Sequence, residues 1–339
     1  MDASLEAAWA QAQRKLVFPG HLRHPYYIAA APWKRGDSAG VRALYLLCHA
    51  LNRAGQSAYL IFNSRRKRFV PPDFLAPMLT DAIAQKHFQQ GLAPITLYPE
   101  TTRGNPFQSP VVARWILNFP GLLGGDATYD PQELLFGYSN ELAQAVGFPE
   151  QVLHLPTIDT RVFHPFAPAT PRRGACFYAY KYRRSSAQAQ LLPITEGATE
   201  ITKGLPDSQT PQEIADLFRR SEVFYAYENT VLAFEAILCG CPAVFLPNDH
   251  LTELIGREEL GSEGYAWGTD PVDIARAKAT VGQGAANFLK TYDLFWEQLD
   301  RFVAITQARA AAIAHPTRVR VPSWWRRRIN RFKRWSARP

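Results

Sequence analysis

One pattern limits what this chain can fold into. Short apolar runs of strand length alternate with amphipathic stretches of helical period; the alternation breaks at a proline cluster and then begins again. Residues 26–31 read as a buried strand that enters the loop containing Gly36, Asp37, Ser38 and Gly40. A helix follows with Val41, Leu44, Leu47, Cys48 and Leu51 on one face, and Gly55 closes it. Further strands are expected at 58–62, 93–98, 134–138 and 151–155, and helices at 111–118 and 139–146. Strands that alternate with helices call for a parallel sheet covered on both faces.

The cluster Pro156, Pro165, Pro168 and Pro171 has no clear periodicity and marks a boundary. Beyond it, strands are expected at 175–180, 199–202, 222–226 and 243–246. Thr210-Pro211-Gln212-Glu213 has the form of a helix start, with Thr as cap, Pro first inside and Glu three residues after the cap. Helices are expected at 230–239, 271–279 and 286–314. The expected organisation is a first Rossmann-like domain over 1–160 and a second over 161–285. A crossing helix over 286–314 and a basic tail over 315–339 complete it.

Charge is unevenly placed. Of 38 Lys and Arg, nine lie between Thr317 and Pro339 with no acidic residue among them, leaving 29 basic against 30 acidic residues elsewhere. The net charge of +8 belongs to the tail, so a nucleic-acid-binding surface over the whole body is not expected. Four cysteines, Cys48, Cys176, Cys239 and Cys241, are too few for a disulfide framework and are read as reduced buried thiols of a cytoplasmic protein. No signal-peptide pattern and no run of membrane-spanning length stands out.

Three segments carry a family resemblance. Pro156, Asp159, Phe163 and Pro165 match the interdomain segment of GT-B glycosyltransferases, with Thr157-Ile158 where that segment has Asn-Gly. Glu235, Ala236, Gly240, Pro242 and Val244 match Glu-Ala-x-x-x-Gly-x-Pro-Val-Val of the retaining, family-4-type members. The Gly36–Gly40 loop resembles their glycine-rich first loop. The resemblance implies a GT-B architecture of two Rossmann-like domains facing a cleft, and sugar transfer from a nucleotide-sugar donor to a saccharide or lipid-linked acceptor. It implies retention at the anomeric carbon. In that family two glutamates stand eight positions apart; here Glu228 and Glu235 are seven apart, and Tyr227 holds the expected position. By resemblance Glu235 binds the donor ribose hydroxyls, and Glu228 or Tyr227 the donor sugar.

The residues support this independently. A helix beginning at Thr230 after a strand offers free backbone N–H groups and the positive end of a dipole, suited to a diphosphate. Asn229 flanks that start, and Glu235 lies about one and a half turns in. Lys181, Arg183 and Arg184 follow the strand at 175–180, and Lys203 follows the one at 199–202; these supply cations. In the first half, Gly36, Asp37, Ser38 and Gly40, with Glu100, Arg103 and Asn105, form the candidate acceptor or phosphate loops. The alternative for each is ordinary turn chemistry. No metal site is visible and no metal or other cofactor is expected. No catalytic base or nucleophile is assigned.

In the tail, Trp325, Ile329, Phe332 and Trp335 recur at helical spacing among basic residues. Trp324, Trp325, Arg326, Arg327, Arg328, Phe332, Lys333 and Trp335 are therefore read as a contact with an anionic membrane surface, peripheral at the inner face. A disordered tail and a single-stranded nucleic-acid contact are the alternatives. Two other functional classes compete with transfer: a nucleotide-sugar epimerase of the same fold, and a non-catalytic membrane-attached binding module.

Overall fold

The apolar run at 26–31 forms the first strand: β1 (Tyr26–Ala29) is buried along its whole length in the computed structural model. The described residues are 23–32, 39–62, 74–165, 171–185, 189–202, 205, 207–257 and 261–321. β1 pairs in parallel with β2 (Ala58–Ile61) on one side and β3 (Ile95–Pro99) on the other. β4 (Val111–Ile116) and β5 (Leu134–Gly137) extend the sheet, giving the order β2-β1-β3-β4-β5. Helices α1 (Ala39–Arg53), α2 (Asp81–Gln89) and α3 (Asn140–Ala145) lie between the strands in sequence.

The second sheet is also parallel and five-stranded, in the order β10-β9-β8-β6-β7. It comprises β6 (Ala175–Tyr178), β7 (Thr199–Glu200), β8 (Val223–Ala226), β9 (Ala243–Phe245) and β10 (Tyr265–Trp267). Helices α4 (Tyr180–Ser185), α5 (Pro211–Arg220) and α6 (Val231–Leu238) connect its strands, and α7 (Pro271–Ala311) follows β10. Thr210 caps α5 through the expected reciprocal bonds with Glu213. The expected α/β class, with two Rossmann-like parallel sheets and a long C-terminal helix, is what the structure has.

Two compact units result. One holds the first sheet and the described residues from Glu297 onward; the other holds His154–Trp296 with Ser139–Glu141. In the first, the C-terminal part of α7 packs on the sheet. Phe302 meets the Phe136 ring edge-on with centroids 4.8 Å apart, and the Tyr26 and Thr306 hydroxyls are 2.8 Å apart. In the second, the earlier part of α7 sets Phe288 against Phe234, and the Tyr292 hydroxyl donates to the Ile158 carbonyl at 2.8 Å.

Several elements differ from the sequence reading. Residues 111–118 are not helical: Val111–Ile116 is β4, the fourth strand of the first sheet and flanked on both sides. A run buried on both faces has no period that separates strand from helix. Helices 271–279 and 286–314 are one helix, because Gly282 and Gly284 do not break it. Gly284 is there for closeness: a Cβ would fall 2.6 Å from the Glu263 carbonyl oxygen. The strand expected at 151–155 is a single bridge between Val152 and Gly137. The strand expected at 175–180 ends at Tyr178, so that Lys181, Arg183 and Arg184 sit on α4, and α2 and β10 were not foreseen.

Candidate functional site

In an open parallel sheet, ligands bind outside the carboxyl ends of the strands where the chain order reverses direction. In the second sheet the chain goes from β6 to β7 on one side, then crosses back to β8 on the other. The reversal therefore lies between β6 and β8. Lys181 follows β6 and Glu228 follows β8, so both stand at this point. Their charged groups are 3.8 Å apart.

Glu228 is fully buried. Its Oε2 accepts the backbone N–H of Lys181 at 2.5 Å and that of Tyr182 at 3.1 Å, satisfying donors at the start of α4. The carboxylate thus explains why the Tyr180–Ser185 segment turns helical directly after β6. Tyr178, at the end of β6, has its hydroxyl pKa pushed up by burial and then by the negative charge of Glu228.

The neighbouring loop is built from side-chain amides. Asn248 donates to the carbonyls of Tyr227 and Leu246, both at 2.9 Å, and accepts the N–H of His250 at 2.8 Å and of Leu251 at 3.1 Å. Asn229 donates to the Glu253 carbonyl at 2.8 Å and accepts from Ile255 N–H at 3.0 Å. His250 has its pKa lowered by burial and then by the positive charge of Lys181. Asn248 and His250 escaped the sequence reading. The available signal was the end of a buried strand at Leu246, where polar residues belong to the ligand side of the sheet.

Thr230 is the N-cap of α6, and its hydroxyl accepts from Leu232 N–H at 3.3 Å. Glu235 is buried on this helix. Tyr227 lies inside the unit: its hydroxyl accepts Leu192 N–H at 2.7 Å, sits 2.9 Å from the Thr195 hydroxyl, and its ring stacks on Tyr182. Arg183 pairs with Glu200 at 3.2 Å, and Arg184 donates to the exposed Tyr180 hydroxyl at 2.9 Å. The second sheet's carboxyl edge thus brings together Lys181, Glu228, Asn229 and Thr230. It keeps the Arg183 and Arg184 side chains on local partners.

The first sheet reverses between β1 and β3, so Glu100 stands at its reversal point. Glu100 is buried, and its Oε2 accepts the Leu117 N–H at 3.0 Å. The next loop is held by Arg114, which makes a two-pronged pair with Glu133 at 2.5 and 2.9 Å. Arg114 also donates to the carbonyls of Thr102 at 2.6 Å and Gly104 at 3.0 Å. Asn105 works within the loop, accepting from the Tyr98 hydroxyl and Ser109 N–H and donating to the Ser109 carbonyl. Arg103 is exposed on this braced turn. Among the described residues, a Cβ on Gly40 would make only ordinary contact, with Leu117 at 3.5 Å.

Gly36, Asp37, Ser38 and Lys203 lie outside the described residues, as do Trp324, Trp325, Arg326, Arg327, Arg328, Phe332, Lys333 and Trp335. Among the described residues, no group of three His, Cys, Asp or Glu is placed to hold a metal ion. Among them too, no helix is long and apolar enough to cross a membrane.

No family model and no curated protein matches this chain. Among solved structures, the chain is similar to a glycosyltransferase from Rickettsia africae ESF-5, at 7% identity and TM-score 0.49, over 86% of this chain and 100% of that one. It is similar to WaaG, a glycosyltransferase involved in lipopolysaccharide biosynthesis, at 10% identity and TM-score 0.41, over 85% and 96%. It is also similar to CalG4, the calicheamicin glycosyltransferase, at 13% identity and TM-score 0.40, over 86% and 100%.

Proposed function

We propose that this chain is a glycosyltransferase that holds a nucleotide-sugar donor at the carboxyl edge of its second sheet. The observation that carries the reading is the meeting of Lys181 and Glu228 at the reversal between β6 and β8, beside the Thr230-capped start of α6. An ammonium group and a helix N-terminus at one strand edge suit the two phosphates of a leaving nucleoside diphosphate. Glu235 supplies a carboxylate acceptor for vicinal hydroxyls of the donor. In the reaction, the bond from the anomeric carbon to the phosphate oxygen breaks and the electron pair leaves with the diphosphate. An acceptor hydroxyl oxygen forms the new bond, and its proton passes to the departing phosphate oxygen. The resemblance of the Glu235–Val244 segment supports retention and a reaction without metal.

The acceptor is assigned to the first half, where Glu100, Arg103 and the segment containing Gly36, Asp37 and Ser38 follow the strand ends. The basic, aromatic tail supports a peripheral place at the inner face of a membrane and a saccharide or lipid-linked acceptor in cell-surface polysaccharide or glycolipid synthesis.

The test is incubation with a panel of nucleotide sugars, with and without saccharide and lipid-linked acceptors, following nucleoside diphosphate release and the sugar product. Release that depends on acceptor is the expected result. An altered free nucleotide sugar without acceptor identifies an epimerase. Tight binding with no turnover identifies a binding module, and absence of binding overturns the donor site.

A further inference from the structure

Glu228 is shut off from direct contact with a donor, while its neighbour Lys181 is not. Its side chain has 0% exposure, whereas that of Lys181 keeps 35%. A group without accessible surface cannot contact a ligand unless the site rearranges. Its Oε2 is already engaged by two backbone N–H groups, those of Lys181 and Tyr182. Its Oε1 stands 3.8 Å from the Lys181 ammonium, beyond hydrogen-bond length. The pair is a tether by charge that leaves the ammonium partly in solvent.

A buried carboxylate is tolerated only where hydrogen bonds and an opposite charge offset its desolvation. Here both come from one short stretch, Lys181-Tyr182, that lies 47 and 46 positions away in sequence. We propose that Glu228 is a positioning residue: it fixes the start of α4 and the Lys181 ammonium at the carboxyl end of β8, and acts on the donor diphosphate only through them. The inference rests on the donor-site reading above.

Glu228→Gln keeps the side-chain shape but removes the charge: its amide oxygen accepts the two backbone N–H groups more weakly, and its NH2 group faces the Lys181 ammonium, donor against donor. The experiment is a double-mutant cycle with Lys181→Met, read by calorimetric binding of inorganic pyrophosphate and by KM and kcat for the donor. Glu228→Gln alone is expected to weaken pyrophosphate binding by about tenfold or more, the scale of a lost charged hydrogen bond. It should raise the donor KM more than it lowers kcat. In the Lys181→Met background the same change should add less than about twofold, the sign of coupled residues. Amide exchange at Lys181 and Tyr182 should accelerate in Glu228→Gln while protection of the sheet is kept.

Effects of the two substitutions that multiply would overturn the inference and leave the donor site standing. A wild-type protein that binds neither pyrophosphate nor any nucleoside diphosphate would overturn the site and the inference together. Should Glu228→Gln not fold, Glu228→Asp runs the same cycle, since its shorter carboxylate cannot hold both amides at once.

Discussion

Arg172 fills the place that a side chain on Gly240 would need: its Nη2 is 2.8 Å from where a Cβ at position 240 would stand. The guanidinium is not there by chance. It donates to the carbonyls of Phe218 at 2.7 Å and Ser221 at 3.0 Å, at the end of α5, and to that of Cys239 at 2.8 Å, at the end of α6. One cation thus satisfies the free carbonyls of two helix ends.

Gly240→Ala is therefore expected to destabilise the protein on two counts. Position 240 has φ +74°, which L side chains rarely adopt, and the new methyl would force Arg172 off three carbonyls. Together these cost about 1–3 kcal/mol. Chemical denaturation should show the loss, and Arg172→Ala should show a loss of similar size. In the double variant the losses should fall short of additive, because the Arg172 contact is shared while the φ strain at position 240 remains. Independent losses would show that Arg172 and Gly240 are not linked.

Glu235→Gln is expected to behave in the opposite way, costing activity and little stability. The substitution keeps size and helical propensity on α6, so the melting temperature should stay within a few degrees. Donor turnover should fall sharply, since an amide has neither the charge nor the second acceptor oxygen with which a carboxylate holds two vicinal hydroxyls. Wild-type turnover at saturating donor would remove Glu235 from the site.

Much of this was legible in the sequence because strand ends and helix starts have local chemical signatures. The Thr210 capping box and the Thr230 cap stand where the residues placed them. What was not legible depends on partners far away in the chain. The helix that carries Lys181, Arg183 and Arg184 was not read, because nothing nearby in sequence announces the Glu228 carboxylate that accepts its first N–H groups. Arg114 within a buried strand is understandable only once Glu133 is placed beside it. Gly282 and Gly284 read as a break because the close approach of Glu263 is a tertiary fact.

The Arg114–Glu133 pair sets a third expectation. Arg114 is 1% exposed and Glu133 9%. Removing one member of a buried pair leaves the other charge without its partner, at a cost of about 3–5 kcal/mol. Glu133→Ala should accordingly lower stability by that order in denaturant titration. Because Arg114 also braces the Thr102 and Gly104 carbonyls, limited proteolysis near Arg103 should accelerate. An unchanged cleavage rate would show that the loop is held by other contacts.

Stability should fall on mild acidification, and His49 is one source. Its Nδ1 accepts the Leu75 N–H at 2.7 Å, so a proton there would set donor against donor. Burial, with the nearby positive charge of Arg53, lowers its pKa from 6.5 to about 4. Between those values the unfolded chain binds the proton more readily, so stability rises with pH. The contribution is complete above the unfolded value and is lost as pH falls toward 4. Burial lowers His24, His87 and His250 in the same direction. Melting temperatures measured from pH 7.5 to 5 should decline. The decline should be shallower in His49→Gln, and an identical slope would exclude His49 as a contributor.

The tail sets the last expectation. Between positions 322 and 339 the sequence has seven Lys or Arg, with Trp324, Trp325, Phe332 and Trp335 among them. Each basic residue near an anionic surface contributes about 1 kcal/mol, and the aromatic rings then bury at the headgroup boundary. Deleting residues 322–339 should abolish sedimentation with phosphatidylserine-containing vesicles and leave nucleoside diphosphate binding unchanged. It should slow transfer to a lipid-linked acceptor more than transfer to a soluble analogue. Raising salt should weaken vesicle binding in part, because screening removes the charge attraction while the aromatic contacts persist. If the full-length chain ignores such vesicles at low salt but binds single-stranded nucleic acid tightly, the stacking role of Trp and Arg replaces the membrane role.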